Sequence, residues 1–123
     1  MKQIRIFIIT TFVLLSTIGC AQQDQSKSIT MEQFKEKLKS DKELIVLDVR
    51  TPEEVATGMI ENAINIPIQV LEGRIDELKP FKDKEIFVIC RTQNRSAVAV
   101  DMLIKNGYNA KNVLGGMSVF YQK

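Results

Sequence analysis

The sequence predicts an α/β fold in which a small central parallel sheet is flanked by helices on both faces. Two continuous apolar runs of strand length, residues 44–47 and 86–89, are separated by segments whose apolar residues recur at helical spacing. Strands covered on both faces have such runs, and their alternation with helices is typical of a parallel sheet. With 123 residues, the chain is long enough for one domain with a buried core.

The N-terminal segment is predicted to be a secretion signal followed by a tether. Lys2 and Arg5 precede a mostly apolar stretch, residues 6–18, which is too short for a comfortable membrane span. Small residues lead to Cys20 and polar residues follow it, so the segment resembles a bacterial lipoprotein signal. An ordinary cleaved signal or a short uncleaved anchor is the alternative. The signal peptide is predicted at residues 1–19. The lipidated cysteine and a disordered tether are predicted at residues 20–28, and the domain at residues 29–123.

The first helix of the domain is predicted from a capping box. Thr30 is followed at the third position by Gln33, and Ile29 and Phe34 have the spacing of a hydrophobic staple. This pattern predicts a helix that extends to about Lys39. The residues expected on its core-facing side are Met31, Phe34 and Leu38.

The first apolar run, residues 44–47, is predicted as a strand that leads to Asp48. Thr51 and Glu54 then form a second capping box, which predicts a short helix. Carboxylates at helix N-termini are usually caps rather than catalytic acids. The set expected to give structural support through ion pairs and capping is Asp48, Arg50 and Glu54.

The remaining apolar patterns continue the alternation of strand and helix. The helix before strand 86–89 should end before Pro80, and the helix after that strand is apolar on most sides and should be largely buried. Gly115 and Gly116 should form a turn. The predicted bounds are a strand at 63–66, helices at 71–78 and 96–106, a strand at 113–114 and a helical turn at 117–121.

Cys90 lies where strand 86–89 ends and a helix begins. The first N–H groups of a helix have no partners inside the helix, so they favour an anion such as a thiolate. Arg91 and Arg95 add positive charge, and the chain has no histidine, which excludes activation by a Cys–His pair. The loop, the helix end and the cations must therefore stabilise the thiolate. The alternative is a buried structural cysteine.

The charge balance and the cysteine count restrict the partners. Seventeen basic and fifteen acidic residues give a net charge of +2, too small to indicate nucleic-acid binding. Without residues 1–19 the chain carries 15 of each, so lipid on Cys20 would be the membrane anchor. Cys90 would then be the one free thiol in a bacterial periplasm or cell envelope, which indicates a reactive thiol. We expect no metal, no cofactor and a monomer.

Three sequence motifs, in order, resemble those of the single-domain rhodanese (sulfurtransferase) family. The first spans residues 47–54 (LDVRTPEE) and continues in residues 58–67 (GMIENAINIP). The second is the loop CRTQNRS, residues 90–96, and the third pairs Gly107-Tyr108 with Gly115-Gly116. The resemblance covers Ile29 to about Phe120 and implies a rhodanese-like fold.

The resemblance implies a persulfide mechanism. Cys90 would take a sulfane sulfur from a small anionic donor such as thiosulfate or polysulfide and pass it to a thiol or cyanide acceptor. Backbone N–H groups of the loop would stabilise the persulfide anion. Arg95 would either add positive potential or be held by a carboxylate such as Asp48. The substrate-binding residues implied are Arg91, Thr92, Gln93, Asn94, Arg95 and Ser96.

The chain departs from the family pattern at a few positions. Gln93 replaces a usual glycine, and glutamine would be strained there if the position needs a positive φ. Its side chain would also narrow the loop mouth or offer an amide donor to bound sulfur. Met59 and Asn62 replace a common histidine and glycine in a connection where we expect no effect on activity. The aromatic position after the glycine pair is taken by Phe120 or Tyr121 in place of tryptophan.

Three alternatives to an enzyme of this type remain. Gln93 favours a non-catalytic rhodanese module that binds sulfide, polysulfide or a partner protein. A redox thiol is a second alternative, although the chain has no Cys-x-x-Cys pair and no resolving cysteine. A cysteine phosphatase or arsenate reductase ranks last, because phosphatase loops are longer than the four residues between Cys90 and Arg95.

Overall fold

The computed structural model describes residues 25–122, and residues 1–24 and Lys123 lie outside the described part. The predicted signal peptide, the lipidated Cys20 and the first part of the tether are therefore not described. The helices are α1 Met31–Ser40, α2 Pro52–Val55, α3 Ile68–Arg74, α4 Asn94–Lys105 and α5 Gly116–Phe120, with 3₁₀ segments Gln25–Lys27 and Ile75–Phe81. The strands are β1 Ser28–Ile29, β2 Ile45–Asp48, β3 Ile64–Asn65, β4 Glu85–Ile89 and β5 Asn109–Val113.

Within residues 25–122 the strands form one five-stranded sheet in the order β1-β5-β4-β2-β3. Every pairing is parallel, with Leu47 beside Val88 and Val88 beside Asn112 in the register of the three central strands. The predicted α/β class with a central parallel sheet is confirmed. Because the sheet is parallel, the carboxyl ends of β2, β4 and β5 meet at one edge.

Two buried clusters cover the two faces of the sheet, as the period of two in a strand requires. On one face, Ile86 and Val88 of β4 pack with residues from α3 and α4. On the other face, Phe87 and Ile89 pack with residues from α1 and α5. Cys90 has the same parity as Val88 and belongs to the first cluster, so its side chain lies on the α4 face.

Both capping boxes are confirmed. The Gln33 N–H donates to Thr30 Oγ1 at 3.2 Å, and the Thr30 N–H donates to Gln33 Oε1 at 3.2 Å. The Glu54 N–H donates to Thr51 Oγ1 at 3.3 Å, and Glu54 Oε1 accepts from the Thr51 N–H at 3.4 Å. Phe34 is fully buried, which confirms its predicted place in the core.

The prediction of a disordered tether is wrong for residues 25–28. A 3₁₀ turn at Gln25–Lys27 leads into β1, where Ser28 pairs with Asn112 of β5. Lys27 Nζ lies 3.5 Å from Asp101 Oδ1 of α4. Strand pairing uses main-chain groups, so a polar segment can form an edge strand that no apolar pattern in the sequence predicts.

The bounds of α4 and β5 differ from those predicted. α4 begins at Asn94 rather than residue 96, and it is not largely buried, because Val98 and Ile104 are 57% and 38% exposed. Only one side of α4 meets the sheet. β5 begins at Asn109, well before the predicted strand at 113–114.

The helix predicted at 71–78 instead comprises α3, from Ile68, and a 3₁₀ segment that includes Pro80. The winding changes at Ile75, whose carbonyl accepts a hydrogen bond from the Tyr108 hydroxyl at 3.1 Å. Short 3₁₀ segments are common connectors of this kind. Within residues 25–122 no helix has the length and apolar character needed to cross a membrane.

Candidate active site

The site lies at the carboxyl end of β4, the middle strand of the sheet. Cys90 follows Ile89 directly, residues 91–93 form a short loop, and α4 begins at Asn94. The predicted junction of strand, thiol and helix is therefore present. Cys90 itself is 0% exposed, so its sulfur lies beneath the loop rather than at the surface.

The main-chain N–H groups of the loop are available to an anion. Within residues 25–122, no acceptor bonds to the N–H groups of residues 91–96, whereas the Ala97 N–H donates to Gln93 O at 3.2 Å. These groups belong to the loop and the first turn of α4, where a helix leaves its amides unpaired. Unpaired amides at such a loop can stabilise a sulfur anion without any proton-transfer residue.

The N-terminus of α5 supports the loop from the other side. The Met117 N–H donates to the carbonyl oxygen of Cys90 at 2.8 Å, and the Ser118 N–H donates to that of Arg91 at 2.9 Å. Gly116, at φ +58°, lies so close that a Cβ atom there would collide with the carbonyl oxygens of Cys90 and Thr92. The glycine pair thus permits direct contact between two segments of main chain.

Gln93 is not strained. Its φ is −164°, which is extended backbone, so the position does not need the positive φ that would have penalised glutamine. Its side-chain Oε1 accepts a hydrogen bond from the Gly115 N–H at 3.1 Å. Gln93 therefore connects the Cys90 loop to the glycine turn through its side-chain acceptor.

A hydrogen-bond chain runs behind the thiol. Cys90 Sγ lies 3.2 Å from Ser96 Oγ, and Ser96 Oγ donates to Asn112 Oδ1 at 2.6 Å. Asn112 Nδ2 in turn donates to the main-chain oxygen of Gln93 at 3.0 Å. Asn112 was not among the predicted site residues, because β5 was predicted to begin one residue after it.

Arg95 is held by Glu54, not by Asp48. Its guanidinium makes two bonds to the Glu54 carboxylate, at 2.6 and 2.7 Å. These bonds lower the pKa of Glu54 from its ordinary value of 4.5 to about 2, although burial acts in the opposite direction. The bond from Glu54 raises the pKa of Arg95, and a thiolate at Cys90 would raise it further. Arg95, a residue of α4, is thus near enough to Cys90 to interact with its charge, but its guanidinium is bonded to Glu54 of α2.

Asp48 is instead paired with Arg50. The Arg50 guanidinium reaches the Asp48 carboxylate at 2.7 Å, and this bond raises the pKa of Arg50. Arg50 also donates to the Gly58 carbonyl at 2.8 Å, and Asn65 Nδ2 donates to the Asp48 carbonyl at 2.9 Å. The pair therefore ties the end of β2 to the segment after α2 and to β3, which is the arrangement expected of a structural pair.

Arg91, Thr92 and Asn94 are exposed at the loop mouth. Within residues 25–122 Arg91 has no ion-pair partner, so it is the loop cation left free to meet an anion. The described residues contain no group of three or more His, Cys, Asp or Glu side chains that could hold a metal ion.

Comparison with known proteins places this site in a family. Residues 30–123 match the rhodanese-like domain. The chain is 41% identical over 91 residues to the "Putative sulfurtransferase YtwF" of Bacillus subtilis, covering 74% of this chain and 86% of that protein. It is 32% identical over 90 residues to a sulfurtransferase of Allochromatium vinosum, covering 72% and 82%.

A solved structure agrees with this assignment. A rhodanese-like domain protein from Staphylococcus aureus superimposes with a TM-score of 0.71 at 38% identity, over 76% of this chain and 90% of that one. Named sulfurtransferases among the relatives support a role in sulfur transfer. The chain belongs to the rhodanese-like domain family.

Proposed function

We propose that this protein is an extracytoplasmic sulfurtransferase that carries a sulfane sulfur on Cys90. The observation that carries the proposal is the position of Cys90 at the start of a loop and helix turn whose N–H groups, those of residues 91–96, bond to no acceptor within residues 25–122. This arrangement favours a sulfur anion.

The half-reaction with thiosulfate needs only the thiolate. Cys90 Sγ attacks the outer sulfur, an S–S bond forms, the S–S bond of thiosulfate breaks, and sulfite leaves with the electron pair. The product is a Cys90 persulfide anion, so charge is conserved and no external oxidant is required. A thiol or cyanide acceptor then attacks the outer sulfur of the persulfide and regenerates the Cys90 thiolate.

Arg91 is proposed to attract the anionic donor. It is exposed at the loop mouth, whereas Arg95 is bonded to Glu54 and Arg50 to Asp48. The charges of those two pairs largely cancel, so Arg91 contributes most to the positive potential that a doubly charged donor meets. Arg95 has the lesser part of orienting α2 against α4.

Attachment to a membrane through lipid on Cys20 is a further part of the proposal. The sequence pattern around Cys20 supports it, with a basic start, an apolar stretch and small residues before the cysteine. A Cys20→Ala variant should lose incorporation of labelled fatty acid and leave the membrane fraction. Retention of both in the variant would contradict the lipid anchor. The protein is proposed to act as a monomer.

A non-catalytic sulfur-binding module is the second candidate, and the complete burial of Cys90 is the observation that favours it. Steady-state production of thiocyanate from thiosulfate and cyanide separates the two. The enzyme should turn over repeatedly, and Cys90→Ser should abolish the activity. Turnover that persists in Cys90→Ser, or its absence with thiosulfate and with polysulfide, would contradict the enzyme proposal.

A further inference from the structure

The hydrogen-bond chain behind Cys90 has a single possible direction. The main-chain oxygen of Gln93 can only accept, so the atom of Asn112 that faces it at 3.0 Å must be Nδ2. This places Oδ1 of Asn112 toward Ser96 Oγ at 2.6 Å. Because a carbonyl oxygen also only accepts, the Ser96 hydroxyl hydrogen is committed to Asn112.

The direction of these hydrogen bonds is the one expected when Cys90 is a neutral thiol. With its hydrogen committed to Asn112, Ser96 Oγ presents a lone pair to Cys90 Sγ at 3.2 Å, and only an S–H group can donate to it. A thiolate or persulfide has no hydrogen on Sγ. Two lone pairs then face each other across this contact unless the Ser96 hydroxyl turns to the sulfur, and in that case Asn112 Oδ1, in a side chain on a residue only 6% exposed, loses its donor.

We propose that Asn112 is a positioning residue that holds the Ser96 hydroxyl away from Cys90 in the resting protein and so sets the balance between thiol and persulfide. This inference rests on the proposed function. The Asn112 side chain bonds to Ser96 and to the main chain of Gln93 rather than to Cys90, so it acts through Ser96. Its own orientation is imposed by the main chain of Gln93, so the conformation of the loop and the resting state of the thiol are linked.

The reaction that starts from the resting thiol releases one proton. Cys90–SH and thiosulfate give the persulfide anion, sulfite and one proton, and the proton leaves with sulfite or water. Asn112 cannot receive that proton, because an amide oxygen is not a base at neutral pH. Its effect is therefore on the relative free energies of the two states rather than on proton transfer.

The test is a double-mutant cycle in the full-length protein in mild detergent. Thiosulfate and sulfite are equilibrated with the protein, and intact mass gives the ratio of persulfide to thiol. Asn112→Leu frees the Ser96 hydroxyl and should raise this ratio about fivefold, the value of one modest hydrogen bond. In a Ser96→Ala background, Asn112→Leu should leave the ratio unchanged.

A matched variant separates the acceptor from the loop contact. Asn112→Asp loses the donor to Gln93, as Asn112→Leu does, but it still accepts from Ser96. It should therefore not raise the ratio. An equal rise in Asn112→Leu and Asn112→Asp, or a rise that persists in Ser96→Ala, would overturn the inference while leaving the persulfide itself established.

An infrared measurement tests the resting state without any turnover. The S–H stretching band of Cys90, obtained as the difference from Cys90→Ser, should lie at lower frequency in the wild type than in Ser96→Ala, because the S–H group donates to Ser96. Equal frequencies would overturn the inference even if Asn112→Leu failed to fold. Absence of persulfide in the wild type would overturn the proposed function, and with it the inference.

Discussion

Replacing Gly116 with alanine should destabilise the protein and displace the Cys90 loop. Gly116 has φ +58°, and a Cβ atom there would collide with the carbonyl oxygens of Cys90 and Thr92. Both obstacles are main-chain atoms, which cannot rotate away as a flexible side chain could. The loop or α5 would have to move, and either movement stretches the bond from the Met117 N–H to the Cys90 oxygen.

Two effects determine how much the free energy of unfolding of Gly116→Ala should fall. Forcing extra volume into a packed site costs about 1–3 kcal/mol, and a left-handed backbone costs an alanine about 1 kcal/mol more than glycine. The free energy of unfolding should therefore fall by about 2–4 kcal/mol. For a domain of this size, that corresponds to a loss of at least about 8 °C in Tm.

The assay is chemical denaturation together with the rate of persulfide formation from thiosulfate. Gly73→Ala is the matched control, since nothing lies within 4 Å of a Cβ atom at Gly73 in α3. That variant should gain up to about 1 kcal/mol in helix propensity and react at the wild-type rate. If Gly116→Ala were as stable and as reactive as the wild type, the conclusion that α5 supports the Cys90 loop would be refuted.

Other substitutions test the contacts around the loop. Glu54→Gln retains the capping box but loses the charged bond to Arg95, and with Glu54 30% exposed the screened loss should be about 0.5–1 kcal/mol at pH 7. Because the pKa of Glu54 is lowered from 4.5 to about 2 on folding, this stabilisation is complete above about pH 4.5 and is lost as the pH falls toward 2. Denaturation curves of variant and wild type should therefore converge at the acid end, and a constant difference across this range would contradict the ion-pair assignment. Asn62→Gly should raise the free energy of unfolding by up to about 1 kcal/mol, since Asn62 has φ +64°, and a loss of stability would indicate an unrecognised role for its side chain. Gln93→Ala removes the bond to the glycine turn and should speed alkylation of buried Cys90 by iodoacetamide severalfold, whereas an unchanged rate would show that Gln93 does not restrict access.

Local features of the chain were predictable from the sequence. Each capping box is complete within four residues, so Thr30 and Thr51 could be identified without knowledge of the rest of the fold. The strand that leads to Cys90 is continuously apolar because both faces of the central sheet are covered. The position of Cys90 at the carboxyl edge of the sheet followed from these patterns.

Contacts between distant parts of the chain were not predictable in the same way. Asn112 reaches Ser96 across sixteen positions, and its strand was predicted to begin at residue 113 because residues 109–112 are mostly polar. The carboxylate that binds Arg95 could not be identified from the sequence, which suggested Asp48, because the pairing with Glu54 depends on where α2 lies relative to α4. Likewise, the unstrained conformation of Gln93 depends on a contact with Gly115, twenty-two residues away.

The central claim is that Cys90 carries a sulfane sulfur, and intact mass of the full-length protein tests it most directly. After incubation with thiosulfate or polysulfide, the protein should gain the mass of one sulfur atom, lose it on addition of cyanide or a thiol, and show no gain in Cys90→Ser. A folded protein that gains no sulfur from either donor, although its Cys90 can still be alkylated, would contradict the account.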